Sequence, residues 1–286
     1  MLSLYDVPAP AKLNLFLHIT GQRADGYHLL QSVFMLIDWQ DSLHFERLQS
    51  PEVSRQDLNP DAPALPGNDL CVRAALALQA ATGYAHGVRI AIDKHIPSQA
   101  GMGGGSSDAA STLVALNRLW NLNLNRTALE QIGLKLGADV PFFIRGQNAW
   151  VEGIGETITP LTGAARLPAS SFWVLQPPSG LSTQSIFTSA NLQRSTKLAT
   201  IEDFAADHYG FGHNDLQPVA EALCPDVLQA NNWLKSQGLR ATMTGSGSAV
   251  FAQACKDINL STAPSEWKIK LCKNLEEHPL SHWMPE

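Results

Sequence analysis

The stretch PSQAGMGGGSS, from Pro97 to Ser107, constrains this chain more than any other. Gly101, Gly103, Gly104 and Gly105 crowd into it, and the hydroxyls of Ser106 and Ser107 close it. A strand-like run precedes it, with Val88, Ile90 and Ile92 alternating with Arg89, Ala91 and Asp93. A helical pattern follows, with Ala109, Leu113, Leu116 and Trp120 at helical spacing. The order strand, glycine loop, helix start aims backbone N–H groups and a positive helix end at one place, which suits phosphate. Glycine-rich turns also serve as plain flexible connections, so the loop by itself leaves both readings open. It is not a Walker A loop, since no Gly-Lys-Ser/Thr ends it. Nor is it the dinucleotide fingerprint, because Ser106 stands where the third glycine belongs.

The rest of the chain narrows the setting. At 286 residues it is long for one domain and natural for two. Hydrophobic residues at 44% against 16% charged predict a globular protein rather than disorder. A formal charge of -6 without a basic run excludes sequence-independent nucleic-acid binding, so an anionic substrate must be held by local donors. No apolar run approaches a membrane span, and the N-terminus lacks a leader pattern. Cys71, Cys224, Cys255 and Cys272 show neither metal nor redox spacing. They read as reduced, half-buried thiols of a cytoplasmic protein.

Along the chain, Leu13, Leu15, Leu17 and Ile19 alternate with Asn14, Phe16 and His18, predicting a strand with one apolar face. Lys12 stands at its entrance on the face of Asn14; alone it reads as a solvated lysine. A Gln-Arg-Ala-Asp-Gly turn leads to Tyr27 and His28 and then to a second apolar run, Val33 to Ile37. Residues 47–68 are rich in Pro, Asp, Gln and Ser and predict an excursion with little regular structure. A helix is expected from about Asp69 to Thr82, capped by Asn68 or Asp69 and stopped at Gly83. A further helix is expected to begin with a Thr127/Glu130 capping box and to end at Gly137. Asp139 follows, in front of Val140, Pro141, Phe142, Phe143 and Ile144. It reads either as a turn or cap aspartate or as a partly buried carboxylate in need of a partner. Proline, glycine and small residues near 160–169 mark a domain boundary, dividing the chain into 1–160 and 161–286. Beyond it come a buried strand from Phe172 to Leu175, a helix starting at Thr183, and a helix from Pro225 stopped by Gly238. Two strands flanking Gly245, Ser246 and Gly247 read by themselves as a hairpin.

Taken together, three segments carry more than each does alone. PAKLNLFL with its trailing DGYH, then PSQAGMGGGSSDAAS, then MTGSGSAVFA resemble the three signature motifs of the GHMP small-molecule kinases. AKLNLFLHITGQRADGYH and LGADVPFFIRG resemble, within that superfamily, the branch that acts on a cytidine diphosphate-linked methylerythritol. The resemblance implies a two-domain α+β fold, with an N-terminal domain like the second domain of ribosomal protein S5 and a ferredoxin-like C-terminal domain. It implies ATP as phosphoryl donor, with Mg²⁺, and transfer to the acceptor's 2-hydroxyl in the non-mevalonate isoprenoid route. The implied partners are small molecules only, with no nucleic acid and no membrane, and the implied state is a monomer or weak homodimer.

Carried over by position, the resemblance makes Asp139 the acceptor of the hydroxyl proton and Lys12 the group that holds Asp139 ionised and steadies charge in transfer. Asn14, Tyr27, His28 and Phe187 line the cytidyl-diphosphate pocket, with the base between Tyr27 and Phe187 and its edge on His28; Thr183 joins them. Pro97, Ser98, Gln99, Ala100, Gly101, Met102, Gly103, Gly104, Gly105, Ser106 and Ser107 wrap the ATP phosphates, one of the two serines touching Mg²⁺ or a phosphate oxygen. Lys94 reaches the nucleotide, and Gly245, Ser246, Gly247 and Ser248 brace the phosphate side. Two departures stand out. Asp69-Leu70, preceded by Asn68, replaces the usual Asn-Leu near the adenine, and an ionised aspartate cannot donate to the base, so either Asn68 or backbone serves. Ser98-Gln99-Ala100 replaces a more glycine-rich run and should stiffen the loop's first half. Within the superfamily the rivals are homoserine- and mevalonate-type kinases, whose acceptors offer no base for Tyr27 and Phe187. A silent nucleotide sensor has no use for a Lys12–Asp139 pair, and a nicotinamide-dependent oxidoreductase fails on the third glycine missing from this loop and on the lack of an early βαβ unit.

Overall fold

The computed structural model describes residues 2–60 and 64–284. Two long strands, β1 (Ser3–Gln22) and β2 (His28–Arg47), form an antiparallel hairpin that organises the N-terminal half. The opposite edge of β2 pairs with β4 (Val88–Asp93) at one end and with β5 (Ala149–Gly153) at the other. β3 (Val53–Asp57) adds in parallel beside β4, and β6 (Thr157–Pro160) closes a hairpin with β5. β3 corrects the expectation of an irregular excursion over 47–68: the pairing partner, β4, lies far along the chain and is invisible to local composition. Residues 61–63 of that excursion lie outside the described residues.

Helices α1 (Leu70–Thr82), α2 (Gly104–Leu119), α3 (Arg126–Leu134) and α4 (Val140–Arg145) belong to the same half. α1, α2 and α4 bury their apolar stripes with Phe34, Phe45, Ile90 and Val151 of the sheet in one core. α1 stops, as expected, at Gly83, whose φ of 67° is left-handed backbone that glycine adopts without strain. α3 departs from its predicted cap. Asn125 accepts from Ala128 N–H, and Glu130 instead takes a two-point hydrogen bond from Arg145 at 2.9 and 2.8 Å. A carboxylate–guanidinium pair is a stronger use of Glu130 than a box with the neutral Thr127.

The second sheet has the order β10-β7-β9-β8, all antiparallel: β7 (Ser171–Gln176), β8 (Thr242–Met243), β9 (Val250–Gln253) and β10 (Lys268–Lys273). Helices α5 (Thr183–Phe187), α6 (Ile201–Ala206), α7 (Gln217–Leu223) and α8 (Pro225–Ser236) accompany it. Phe172, Val174 and Phe251 of this sheet share a core with Leu13, Leu15, Val33 and Met35 of the first. The C-terminal segment crosses back: Leu275 N–H bonds to Leu36 O at 2.8 Å, and Leu280 and Met284 enter the N-terminal core.

β1 is the seam of the molecule, and here the one-apolar-face expectation is corrected. Asn14, Phe16 and His18 are as buried as Leu13, Leu15 and Leu17. The outer edge of β1 is covered in turn by Met102 O on Lys12 N–H, Thr244 Oγ1 on Asn14 N–H, His213 O on Leu17 N–H and Asp215 Oδ2 on Ile19 N–H. Its edge position also accommodates Pro8 and Pro10, whose carbonyls accept from Ser111 and Ser107. Three cysteines are buried and Cys255 is exposed; all four are free.

Candidate active site

A cleft of about 660 Å³ opens where β1, the glycine loop, α4 and the β8–β9 turn converge. The loop feeds directly into α2, whose cap is Gly103 in left-handed backbone (φ 70°). The sixteen residues of α2 bring a positive helix end to the cleft, and the first-turn N–H groups have no partner further back in the helix. Glycine is required here for reasons of space. A Cβ on Gly101 would stand 2.2 Å from Thr244 O, and one on Gly245 would stand 2.7 Å from Gly101 O. The loop and the β8–β9 turn therefore touch backbone to backbone. Ser248 N–H and Ala249 N–H bond to Gln99 O and Ala100 O, both at 3.2 Å, stitching the two domains across the loop. Gln99 takes left-handed backbone (φ 54°), so the non-glycine half of the loop carries strain of about 1 kcal/mol.

Lys12 Nζ, only 5% exposed, lies 3.6 Å from Asp139 Oδ2 and 2.5 Å from Asn14 Oδ1, and 4.4 Å from the Phe34 ring centre. Burial lowers the Lys12 pKa, and the Asp139 carboxylate partly restores it. Asp139 immediately precedes α4, makes no capping hydrogen bond, and keeps 31% of its side chain exposed to the cleft. That removes the cap reading of Asp139. Asn14 donates to Ser32 Oγ at 2.9 Å, and Ser32 Oγ donates to Phe16 O, so the amide that receives Lys12 is itself held.

Lys94 sits beneath the loop between two carboxylates. Its Nζ bonds to Asp41 Oδ2 and, at 2.7 Å, to Asp108 Oδ2. Burial pulls the Lys94 pKa down, but Asp108 and Asp41 outweigh it and hold the pKa above the ordinary lysine value. Asp41, fully buried, also accepts from His95 N–H at 2.5 Å and Ile96 N–H at 2.8 Å, and so pins the arm that leads into the glycine loop. Sequence reasoning missed Asp41. The only trace was an acidic residue inside an apolar strand.

A second pocket, of about 790 Å³, holds Tyr27, His28, Gln184, Phe187 and Arg194. Leu30, Ile154 and Phe187 border both cavities, so the two form one groove with Lys12 and Asp139 in its first part. Tyr27 is 60% exposed; among the described residues the ring beside Phe187 is that of His28, at 5.0 Å.

Several expected site residues lie elsewhere than supposed. Asn14 sits with Lys12 rather than beside Tyr27, and Thr183 bonds Ser246 Oγ at 2.8 Å on the phosphate side. The Ser107 hydroxyl is buried and donates to Pro10 O, which leaves Ser106 as the serine facing the cleft. Ser248 is fully buried and does not line the cleft. Asn68 is exposed and outside the wall, whereas Leu65, Pro66, Asp69 and Leu70 form it. Asp69 caps α1 through Val72 N–H and pairs with Arg55 at 2.9 Å, so its carboxylate is spent on the fold.

Among the described residues no cluster of three His, Cys, Asp or Glu side chains could hold a metal by itself. Ser106 Oγ lies next to Gly137, on the turn that leads to Asp139. A hydroxyl and a carboxylate on one wall suit Mg²⁺, which keeps several waters and phosphate oxygens as ligands.

Residues 69–147 match the GHMP kinases N terminal domain, and residues 191–258 match the GHMP kinases C terminal family. A 4-diphosphocytidyl-2-C-methyl-D-erythritol kinase of Delftia acidovorans is 63% identical over 100% of this chain and 99% of its own length. One from Paracidovorax citrulli is 62% identical over 99% and 98%. A crystal structure of 4-(cytidine 5'-diphospho)-2C-methyl-D-erythritol kinase superposes with a TM-score of 0.78 at 31% identity, covering 96% of this chain and 99% of that one. The homoserine kinase of Cytophaga hutchinsonii, at TM-score 0.68 and 13% identity over 97% and 95%, shares the fold.

Proposed function

This chain belongs to the GHMP kinases, among the 4-diphosphocytidyl-2-C-methyl-D-erythritol kinases, and from that membership we infer its reaction and the residues that carry it. It transfers the γ-phosphoryl group of ATP to the 2-hydroxyl of 4-diphosphocytidyl-2-C-methyl-D-erythritol, a step of isoprenoid precursor synthesis. The observation that carries the mechanism is the Lys12–Asp139 pair, set between the glycine loop and the groove that leads to Tyr27 and His28.

A tertiary alcohol is crowded and weakly acidic, so positioning, proton removal and charge stabilisation must do the work. Asp139 accepts the hydroxyl proton as the oxygen attacks the γ-phosphorus and ADP leaves. Lys12 pairs with Asp139 and offers positive charge to the developing alkoxide and the transferring phosphoryl group. Asn14 is better read as the residue that orients Lys12 than as a substrate contact. The N–H groups of the glycine loop and the start of α2 cradle the triphosphate, and Gly245, Ser246 and Gly247 close over it from the second domain. Ser106 is the residue that would hold Mg²⁺ together with the phosphate oxygens, and the ion would supply charge neutralisation on the phosphates when bound. The adenine rests against Leu65, Pro66 and Leu70, its polar edge met by backbone rather than by Asp69 or Asn68. Tyr27, His28 and Phe187 receive the cytosine.

We take residues 1–160 and 161–286 as the two domains; β6 ends at Pro160 and β7 begins at Ser171 in support of that division, while the tail from Leu275 to Met284 packs into the core of the first domain. Among the described residues no helix is long and apolar enough to cross a membrane. Four free cysteines and ATP as donor support a cytoplasmic setting.

An ATP-consumption assay with the cytidyl substrate, homoserine and mevalonate in parallel tests this reading. Turnover is expected with the cytidyl substrate alone. Preference for either of the other acceptors would refute it.

A further inference from the structure

Arg194, in the segment after α5, donates from Nε to His28 Nε2 at 3.0 Å. A guanidinium carries five N–H donors, has no acceptor and stays charged in proteins. His28 Nε2 is therefore the acceptor, and the proton of the neutral ring sits on Nδ1. Arg194 is not free to swing aside. Its terminal nitrogens donate to Leu192 O at 3.1 Å, Phe187 O at 3.1 Å and Ser189 O at 2.7 Å. One side chain thus ties the end of α5, which carries Phe187, to the imidazole that packs against Phe187. Burial and, next, the adjacent guanidinium lower the His28 pKa, which keeps the ring neutral.

We propose that Arg194 is a positioning residue that fixes His28 in its Nδ1–H tautomer, so that the pocket presents a donor to a ring acceptor of cytosine, N3 or O2. The inference rests on the reading above that cytosine lies in the Tyr27–Phe187 pocket. Cytosine carries two neighbouring acceptors at N3 and O2. The other tautomer would face them with a lone pair and leave a polar group unpaired, which costs more than the lost bond alone. With Nε2 engaged by Arg194, Nδ1–H is the polar group the ring retains for a ligand.

Nitrogen-15 NMR of the full chain, labelled at histidine, reads the tautomer without any variant. Nδ1 protonated and Nε2 bare is expected, and a protonated Nε2 overturns the proposal. CMP is then added. Slowed exchange of Nδ1–H together with a shifted Tyr27 signal supports the donor role. A Tyr27 shift without any response at His28 overturns that role while sparing the placement of the base. No response at either residue overturns the placement, and the proposal with it. UMP offers O2 but carries N–H at position 3, so protection kept with UMP assigns the acceptor as O2 and protection lost assigns it as N3. Arg194→Gln, able to donate or accept, should populate both tautomers and raise KM for the cytidyl substrate about tenfold, the size of one hydrogen bond. KM for ATP and kcat should move far less, and Arg194→Lys, which keeps a donor, should retain the Nδ1–H signature. An unchanged tautomer in a folded Arg194→Gln protein contradicts the proposal.

Discussion

Lys12 Nζ, in the middle of β1, lies 3.6 Å from Asp139 Oδ2 at the entrance to α4. The cation is buried and the carboxylate reaches the cleft, so the pair is asymmetric: one partner is fixed by the fold and the other is open to a ligand. Asp139→Asn preserves the shape of this arrangement and removes its basicity. Phosphoryl transfer should fall by on the order of 10²–10⁴-fold. Binding of the cytidyl substrate, followed by calorimetry, should stay within a few-fold. Full turnover by the variant would dismiss Asp139 as the base.

The same geometry sets a pH limit. Burial first, and only then Asp139, governs Lys12, and the net shift is downward from 10.5. A lowered pKa means that Lys12 loses its proton, and with it the charge that steadies transfer, at a pH below that of an ordinary lysine. The alkaline limb of kcat should therefore begin below 10.5 and move upward in Lys12→Arg, since a guanidinium stays protonated. A kcat profile in which both proteins share one alkaline limb would rule Lys12 out as its source.

Tyr27 is 60% exposed and, among the described residues, stacks on no other ring, so its surface is available to a base. Tyr27→Ala should weaken the cytidyl substrate by about 1–3 kcal/mol, the range of one base–aromatic stack. KM for ATP should hardly change. Equal losses for both substrates would contradict the stacking role.

Asp41 should control the donor side although it does not line the cleft. Asp41→Asn removes a counter-charge from buried Lys94 and weakens the bonds to His95 N–H and Ile96 N–H. Losing one member of a buried ion pair costs about 3 kcal/mol of stability. KM for ATP should rise more than KM for the cytidyl substrate. Denaturation curves and paired kinetics check both, and a selective rise in the cytidyl KM would count against Asp41 as the anchor of the loop.

His278 should make stability pH-dependent. Burial pushes its pKa down to about 3, and among the described residues its Nε2 has no partner, while Nδ1 accepts from Leu280 N–H. Below about 6.5 the unfolded chain takes up a proton that the folded state refuses, so stability is full above that value and declines as pH falls towards about 3. Between pH 6.5 and 5 the loss is roughly 2 kcal/mol. His278→Asn keeps an acceptor for Leu280 and should flatten that part of the curve. An unchanged slope in thermal unfolding at matched pH values would exclude His278 as its source.

Local chemistry made much of this protein legible in its sequence. Glycine spacing marked the loop, Gly83 and Gly238 marked helix stops, and the β8–β9 turn was readable from its Gly-Ser-Gly. Those features depend on φ preference and hydrophobic period, both properties of a few adjacent residues. What the tertiary structure decided depends on residues distant along the chain. Lys12 reads as a solvated lysine until α4 carries Asp139 to it, and β3 reads as a loop until β4 pairs with it. Ser106 and Ser107 are equivalent on paper, yet Pro10 O claims Ser107. Asp41 and Arg194 carry no motif, because a buried carboxylate or guanidinium takes its meaning from whichever groups the fold brings within hydrogen-bonding distance. Backbone preference is local, whereas the partners of a buried charge are set by packing.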